Sequence, residues 1–369
     1  MSTMHARLEQ LPITLSWASD ETLYSWCCRW HRLTLNRTQV SGLALFGVPS
    51  AAKVRIAPNP FGHFSSVTRG LLGAPAAILR QRTAVGSFLA LARLDDRQLI
   101  QAGDLNPSHV LSEKTGIAMR LRYCCRCIKR CQRVMGMSIW RVQHQLPGVV
   151  VCLEHGQPLV ELVEQRQLWS MPDSGAVREI DVASQPEMQT LSYAAEAALC
   201  IFESGGLDVD ELRERAQSVV SEAYGALDTK RLDPERVDSD WQMSPLSRWC
   251  NRVFPGASAF PSMWITNLLR SRRSERSPLR WAFLVAYFSE RSWSSPKVFF
   301  NSARDFSGSQ LSFWGNAADV PSLILHACTK SENANQAARI IGVTAGTVRH
   351  WVRRHAELSS ATAHWKSRG

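Results

Sequence analysis

The chain has 369 residues, 45% hydrophobic and 20% charged, which is enough apolar material for packed cores and too little charge for a disordered chain. Forty-three Lys and Arg against thirty-two Asp and Glu give +11, and at ~100–200 residues per domain the length predicts two or three folded units. The longest stretch without a charged side chain, 253–269, is interrupted by Pro255 and Pro261, and the amino terminus has no apolar signal segment, so neither a membrane span nor secretion is expected.

In chain order, Asp20 is the expected N-cap of a first helix, in which Leu23, Trp26, Cys27 and Trp30 recur at helical spacing and leave Arg29 and Arg32 off the apolar face. Gly47 to Gly73, punctuated by Pro49, Pro58, Pro60 and Gly62, reads as loops, and Ala84 to Gln101 reads as a second helical run. From Arg120 to Leu162 the pattern turns to short β-type segments, 138–144 and 149–151, parted by Pro147-Gly148. Leu191 to Phe202 and Val209 to Tyr224 return to helical spacing, as do segments around 245–253, 261–269, 278–289 and 321–328.

The expected class is mainly α, a multi-domain helical protein with a central zinc-ribbon-like module and a C-terminal helix-turn-helix. The expected units are a helical domain over 1–111, a zinc-binding module over 112–165, an acidic then basic helical region over 166–320, and the helix-turn-helix over 321–369. Charge divides along similar lines, with +5 over 1–112, +7 over 113–153, −12 over 154–241 and +11 over 242–369. That alternation predicts more than one kind of electrostatic partner. A solvated helical face would also account for the acidic run.

Cys124 and Cys127 form a Cys-x2-Cys knuckle, and Cys152 with His155 forms a Cys-x2-His knuckle after twenty-four intervening residues. Four such donors suit one tetrahedral structural Zn2+, which would replace a core in about forty residues too few to build one. Arg120, Arg122, Arg126, Lys129 and Arg130 would ease thiol ionisation. Cys125 and Cys131 compete for the ligand register, His144 is an alternative or outer ligand, and a redox Cys-x2-Cys is the other reading. A reducing cytoplasm makes disulfides among the ten Cys unexpected.

Residues 334–353 match a helix-turn-helix position by position, with Ala338 where the helices meet and Gly342 in the turn. Ala337, Ile341, Val343, Val348 and Trp351 are the expected buried positions. The second helix then presents Thr344, Thr347, Arg349, His350, Arg353 and Arg354 to DNA, its first residues to base edges and its last to phosphate. An αα-hairpin that only packs within the protein is the alternative. A second cluster, Arg270, Arg272, Arg273, Arg276 and Arg280 beside Trp281, could follow a phosphate backbone. No P-loop, His-Glu-x2-His or Gly-x-Ser-x-Gly motif occurs, and no enzyme activity is expected.

Taken together, Asp20 to Trp26 with Arg29, Leu45-Phe46-Gly47, Arg122 to Cys127, Trp140, His144 to Gly148, Cys152 to Gly156 with Leu159, and the weaker Ser277 to Arg280 resemble the TniQ/TnsD family of transposition target-selection proteins. The resemblance covers roughly 12–162 and departs at Cys125, where that family carries Pro. It implies a non-catalytic adaptor of the bacterial cytoplasm, at the nucleoid during transposition, with a single zinc. Such an adaptor recognises a target as DNA or through a guide-RNA surveillance complex and recruits an AAA+ ATPase and, through it, a transposase. Pairing of two copies is compatible with that role. A zinc-containing helix-turn-helix transcriptional regulator is the alternative, and a nuclease or recombinase a weaker one.

Overall fold

The computed structural model describes residues 15–51, 61–102, 120–164, 169–172, 176–226, 229–253, 260–270, 276–291 and 322–341, with 296, 299–300, 348–349, 352 and 356–368 besides. It is mainly helical with a few short strands. Two compact units emerge, one from residues 1–209 with 219–300 and one from 210–218 with 301–369.

In the larger unit, α1 (Leu23–Thr34) buries the expected stripe, with Trp26 and Trp30 at 0% and 1% exposure. Its cap is Thr22, whose hydroxyl accepts from Ser25 N at 2.9 Å, and not Asp20. Asp20 instead adopts a left-handed backbone (φ 57°) and serves a distant segment. Its carbonyl accepts from Val142 N at 2.8 Å and its carboxylate from Gln143 N, so it caps the short α8 (Val142–Gln145) across the fold. This also corrects the β reading of 138–144. Only Arg141 bridges to Glu21, and once Asp20 has satisfied the next amides the chain turns helical.

The helices α2 (Thr38–Phe46), α3 (Phe61–Val67) and α4 (Pro75–Arg82) continue this layer. The presence of α3 overturns the loop reading there. Phe64 is fully buried, stacked on Phe46 and edge-on to Trp26, and the burial of that ring outweighs the Gly and Pro around it. The 84–101 run is two helices, α5 (Val85–Leu91) and α6 (Leu94–Ala102), broken at Ala92, which turns extended. Ala90 then offers its carbonyl to Leu207 N at 2.7 Å, a tertiary bond that a continuous helix could not make.

The strands form two small antiparallel sheets. Strands β1 (Arg122–Tyr123), β4 (Val160–Glu164) and β5 (Ala176–Glu179) form one, with Tyr123 opposite Val160 and Glu161 opposite Arg178. The other is a hairpin of β2 (Val151–Cys152) and β3 (Gln157–Pro158), in register Cys152 to Gln157. The helix α7 (Cys125–Met135) follows β1 and ends at the left-handed Gly136. Leu23, Trp26, Trp30, Tyr123, Trp140 and Leu162 belong to one buried cluster, so the strand region and the first helices share a core.

The second layer is built on α9 (Gln185–Ser204) and α14 (Pro278–Arg291), which pack side by side. Ala194, Ala195, Ala197, Ala198, Ala282 and Ala286 are all within 1% of full burial, and these small side chains let the two backbones approach closely. Ser184 caps α9 through Glu187 N, and left-handed Gly205 ends it. The helices α11 (Pro234–Gln242), α12 (Pro245–Val253) and α13 (Trp264–Arg270) follow in this unit, whereas α10 (Val209–Ala223) has its residues 210–218 in the smaller one. Gly148, at φ 87°, lies against Ala282, Phe283 and Leu279, where a Cβ would stand 3.4 Å from the first two.

The smaller unit contains α15 (Ser322–Lys330), α16 (Ala334–Ile341) and α17 (Ala356–Ala361). Asn333 caps α16 by accepting from Asn335 N and Gln336 N at 3.1 and 3.0 Å. Cys328, Ala334, Ala337, Val348 and Leu358 make its core. The carbonyl of Ser331, between α15 and α16, accepts from Trp365 Nε1 at 2.5 Å and lies 2.8 Å from His364 Nε2. No helix among the described residues is long and apolar enough to cross a membrane.

Candidate metal centre

Each of the four knuckle residues is placed by a different backbone device. Cys124 is the extended residue before α7, Cys127 lies in the first turn of α7, Cys152 ends β2, and His155 lies in the turn to β3. That turn is closed by Gly156 N donating to Cys152 O at 2.7 Å, with Gly156 left-handed at φ 60°. One donor atom from each of the four residues lies within 4.8 Å of the others.

The spacings fit one ion. Ligand bonds of ~2.3 Å to sulfur and ~2.0–2.1 Å to nitrogen, set tetrahedrally, put ~3.8 Å between two sulfurs and ~3.6 Å between sulfur and nitrogen. Cys127 and Cys152 Sγ are 3.7 Å apart. His155 Nδ1 is 3.5, 3.3 and 3.5 Å from the sulfurs of Cys124, Cys127 and Cys152. Three thiols and an imidazole are the donors that a borderline-soft divalent ion takes, so the residues present fit a metal.

The electrostatics point the same way. Hydrogen bonds from Cys127 and Cys152 hold the Cys124 thiol well below its ordinary range, while the same contacts push Cys127 and Cys152 up. One thiolate is therefore easy to form among these sulfurs, and further ionisation calls for a cation. The three Cys are buried and His155 is half-buried, which leaves little room for an exchanging ligand.

The cation on the cluster is Arg141, not the five basic residues expected to ease ionisation. Its guanidinium donates to Cys127 Sγ at 3.1 Å, to Asp20 at 3.0 Å and to Glu154. Of the expected five, Arg122 is directed to Leu146 O and Arg130 to Glu154, whose carboxyl Arg130 and then Arg141 hold down at about 2. Gln157 Nε2 donates to Cys124 Sγ at 3.1 Å, because the hairpin register sets Gln157 opposite Cys152. Residue spacing marks neither partner. The one signal for Gln157 was its position five residues after Cys152, across a tight turn.

Cys125 is exposed and Cys131 only half-buried, and neither joins the four donors. His144 Nε2 stands 3.9 Å from Cys127 Sγ, outside the cluster, and burial followed by the nearby Arg141 charge drives this ring down to about 3, so it is neutral.

Other sequence-derived positions lie elsewhere. Arg349 is exposed and Val348 buried in the smaller unit, whereas Thr344, Thr347, His350, Arg353 and Arg354 fall outside the described residues. Arg270 is exposed at the end of α13, where it donates to the carbonyls of Thr229 and Leu232 at 2.9 and 2.6 Å. Arg272 and Arg273 also fall outside the described residues. Arg276 pairs with Asp96 at 3.3 Å, and Trp281 is core.

Residues 12–159, which contain all four donors, match the TniQ family model. The chain therefore carries a TniQ domain, which places it with transposition-associated proteins. The match does not single out TnsD. No curated protein matches the chain.

Proposed function

We propose that this TniQ-domain protein is a non-catalytic accessory of DNA transposition, which recognises the target and recruits an AAA+ ATPase and a transposase. The observation that carries the reading is a buried Cys3His cluster inside the span that matches TniQ. Cys124, Cys127, Cys152 and His155 hold one structural Zn2+, which ties the start of α7 to the β2–β3 hairpin. When bound, the ion supplies cross-linking and charge neutralisation and no open coordination position.

DNA is held by the basic C-terminal region. In this reading 334–353 form a helix-turn-helix that turns Thr344, Thr347, Arg349, His350, Arg353 and Arg354 to the duplex, with Arg270, Arg272 and Arg273 on the backbone. The cap of α16 and the buried Ala337 and Val348 support it. The acidic region and the first helices face protein partners, among them the ATPase and, where targeting is RNA-guided, a surveillance complex. The setting is the bacterial cytoplasm.

The test joins metal analysis, DNA binding and co-purification. One Zn per chain in the wild type and none in Cys127→Ser is expected. Arg349→Ala with Arg353→Ala lowers the salt dependence of DNA binding by about 2 in log–log slope, since each lost phosphate contact removes ~0.9. Unaltered DNA binding in that variant, or no ATPase among the chains that co-purify, overturns the corresponding half of the proposal.

A further inference from the structure

We infer that the outer edge of β5 is a docking site for an extended segment of a partner protein, which joins the sheet of β1, β4 and β5 as an added strand. The strand β5 ends that sheet, and among the described residues no strand pairs with its other side. All four of its residues are exposed, Val177 at 46%. Just beyond it, Ile180 N donates to Leu159 O at 3.1 Å. Backbone groups of successive residues turn to opposite sides of a strand, so those of Arg178 face β4 while the N–H and C=O groups of Val177 and Glu179 point outward. Such a row is the template on which an extended peptide adds to a sheet.

The other edges are closed. At the far side of the same sheet the outward groups of β1 are those of Arg122, and the Gln145 side chain takes the place of a neighbouring strand. Arg122 N donates to Gln145 Oε1 at 3.1 Å, and Gln145 Nε2 donates to Arg122 O at 2.7 Å. In the hairpin, β3 ends at Pro158, which has no N–H to offer, and β2 is buried and packs on α9. Open edges invite unwanted pairing, and folds normally protect them. Here one edge of a sheet is sealed by a dedicated amide and the opposite edge is left open.

The side chains along the edge specify the occupant. Val177 and Glu179 stand on the same face as Leu162 and Val160, their opposite residues on β4, and both of those are buried, so this face borders the core. An apolar residue set beside Val177 extends the core margin. A basic residue set beside Glu179 meets a carboxylate for which no ion pair is found among the described residues, whereas Arg178 on the other face is already held by Glu161 at 2.7 Å. The partner segment therefore carries a basic and an apolar residue at alternate positions. A second copy of this chain is the poorer fit. The register that pairs 177–179 of two copies antiparallel sets Arg178 opposite Arg178, and like charges directly opposite one another repel.

The experiment uses the full zinc-loaded chain and a capped peptide, Thr-Lys-Thr-Val-Thr-Lys-Thr, which places Val beside Val177 and Lys beside Glu179 in either direction. At millimolar peptide the Val177 and Glu179 amides are expected to gain protection from hydrogen exchange by NMR, while the Arg178 amide, turned to β4, changes little. Val177→Pro removes an outward N–H that β4 does not use and is expected to weaken binding about tenfold, with zinc content and melting temperature close to wild type. Val177→Thr keeps the backbone and binds within about threefold of wild type. Glu179→Lys reverses the preference, favouring the same peptide with Glu in place of Lys. No gain of protection at Val177 and Glu179, full affinity in Val177→Pro, or an unreversed preference in Glu179→Lys overturns the inference. A dimer of the free chain that Val177→Pro dissociates also overturns it, by giving the edge to a second copy. DNA binding measured on the same variants stays unchanged, so failure at this edge and failure of the proposed function are read separately.

Discussion

Arg141 joins the Cys127 sulfur to the Asp20 carboxylate through one guanidinium, at 3.1 and 3.0 Å, and so links the metal cluster to the segment that enters the first helix. The same segment is held by backbone, with Thr22 N donating to Trp140 O at 2.9 Å. The cluster is thus part of the packing of the N-terminal helices as well as of its own loop.

Replacing Arg141 should therefore act on the metal first. Arg141→Met removes a charge-assisted donor from a ligand thiolate, and loss of such an outer partner typically costs 10–100-fold in affinity, or about 1.4–3 kcal/mol. Arg141→Lys recovers only part of this, because a single ammonium cannot hold three partners in a planar fork. Zinc competition against a chromogenic chelator measures the effect, and equal affinity in all three proteins would show the contact to be incidental.

Glu21 is fully buried and accepts from Arg29 at 2.8 and 2.6 Å, from Ser25 Oγ at 2.9 Å and from Ala18 N at 3.0 Å. Glu21→Ala strands a guanidinium with a side chain only 13% exposed, a loss of about 3 kcal/mol or more. Denaturant unfolding checks this, and Glu21→Gln is expected to fall between the two because it keeps one acceptor oxygen while losing the charge and the other acceptor.

The pair of Glu187 and Arg252 gives a pH dependence. Hydrogen bonds from Arg252 lower the Glu187 carboxyl from its ordinary 4.5, against the opposing effect of burial. A carboxyl depressed in the folded state binds protons more readily when unfolded, so its stabilisation is complete above about 4.5 and is lost as pH falls through the folded value. The urea midpoint of wild type should fall faster with acidification below that point than the midpoint of Glu187→Gln, and parallel curves would count against the pairing.

Gly148→Ala tests a close approach. The position needs φ 87°, and a Cβ there meets Ala282 and Phe283 at 3.4 Å. Left-handed strain of about 1–2 kcal/mol, with tight contact added, should lower the melting temperature while zinc stoichiometry stays at one.

Chelation provides the broadest test. If the ion fixes Cys124 and Cys127 at the start of α7, its removal loosens that helix and the hairpin, and far-ultraviolet helical signal and amide protection fall together over 122–164. Restoration by Zn2+ and not by Mg2+ is expected from three sulfur donors.

Much of the site was legible because its chemistry is written in local spacing. Two residues between Cys124 and Cys127, and two between Cys152 and His155, are a property of short segments, and a turn of either brings both donors to one side. Spacing also favoured Cys124 over Cys125, which would leave only one residue before Cys127, and Cys124 is the one in the cluster. The structure adds the reason: the helix starts at Cys125, which leaves Cys124 extended and buried and Cys125 exposed. The stripe of α1 and the long helix α9 were also readable, being periodic over two turns or more.

The readings that failed share one cause. Asp20, the 138–144 segment and α3 each carry local signals for a cap, a strand and a loop, and each is overruled by partners more than fifteen residues away in the chain: Gln143 for Asp20, Glu21 for Arg141, and Phe46 for Phe64. Sequence by itself determined the donor set, the amphipathic stripes and the alternation of charge, because each follows from residue type at fixed short intervals. Only the tertiary structure decided that Arg141 and Gln157 serve the cluster and that Asp20 caps a foreign helix. Those outcomes are settled by packing and by the need of buried polar groups for partners, and both depend on distances that no local pattern encodes.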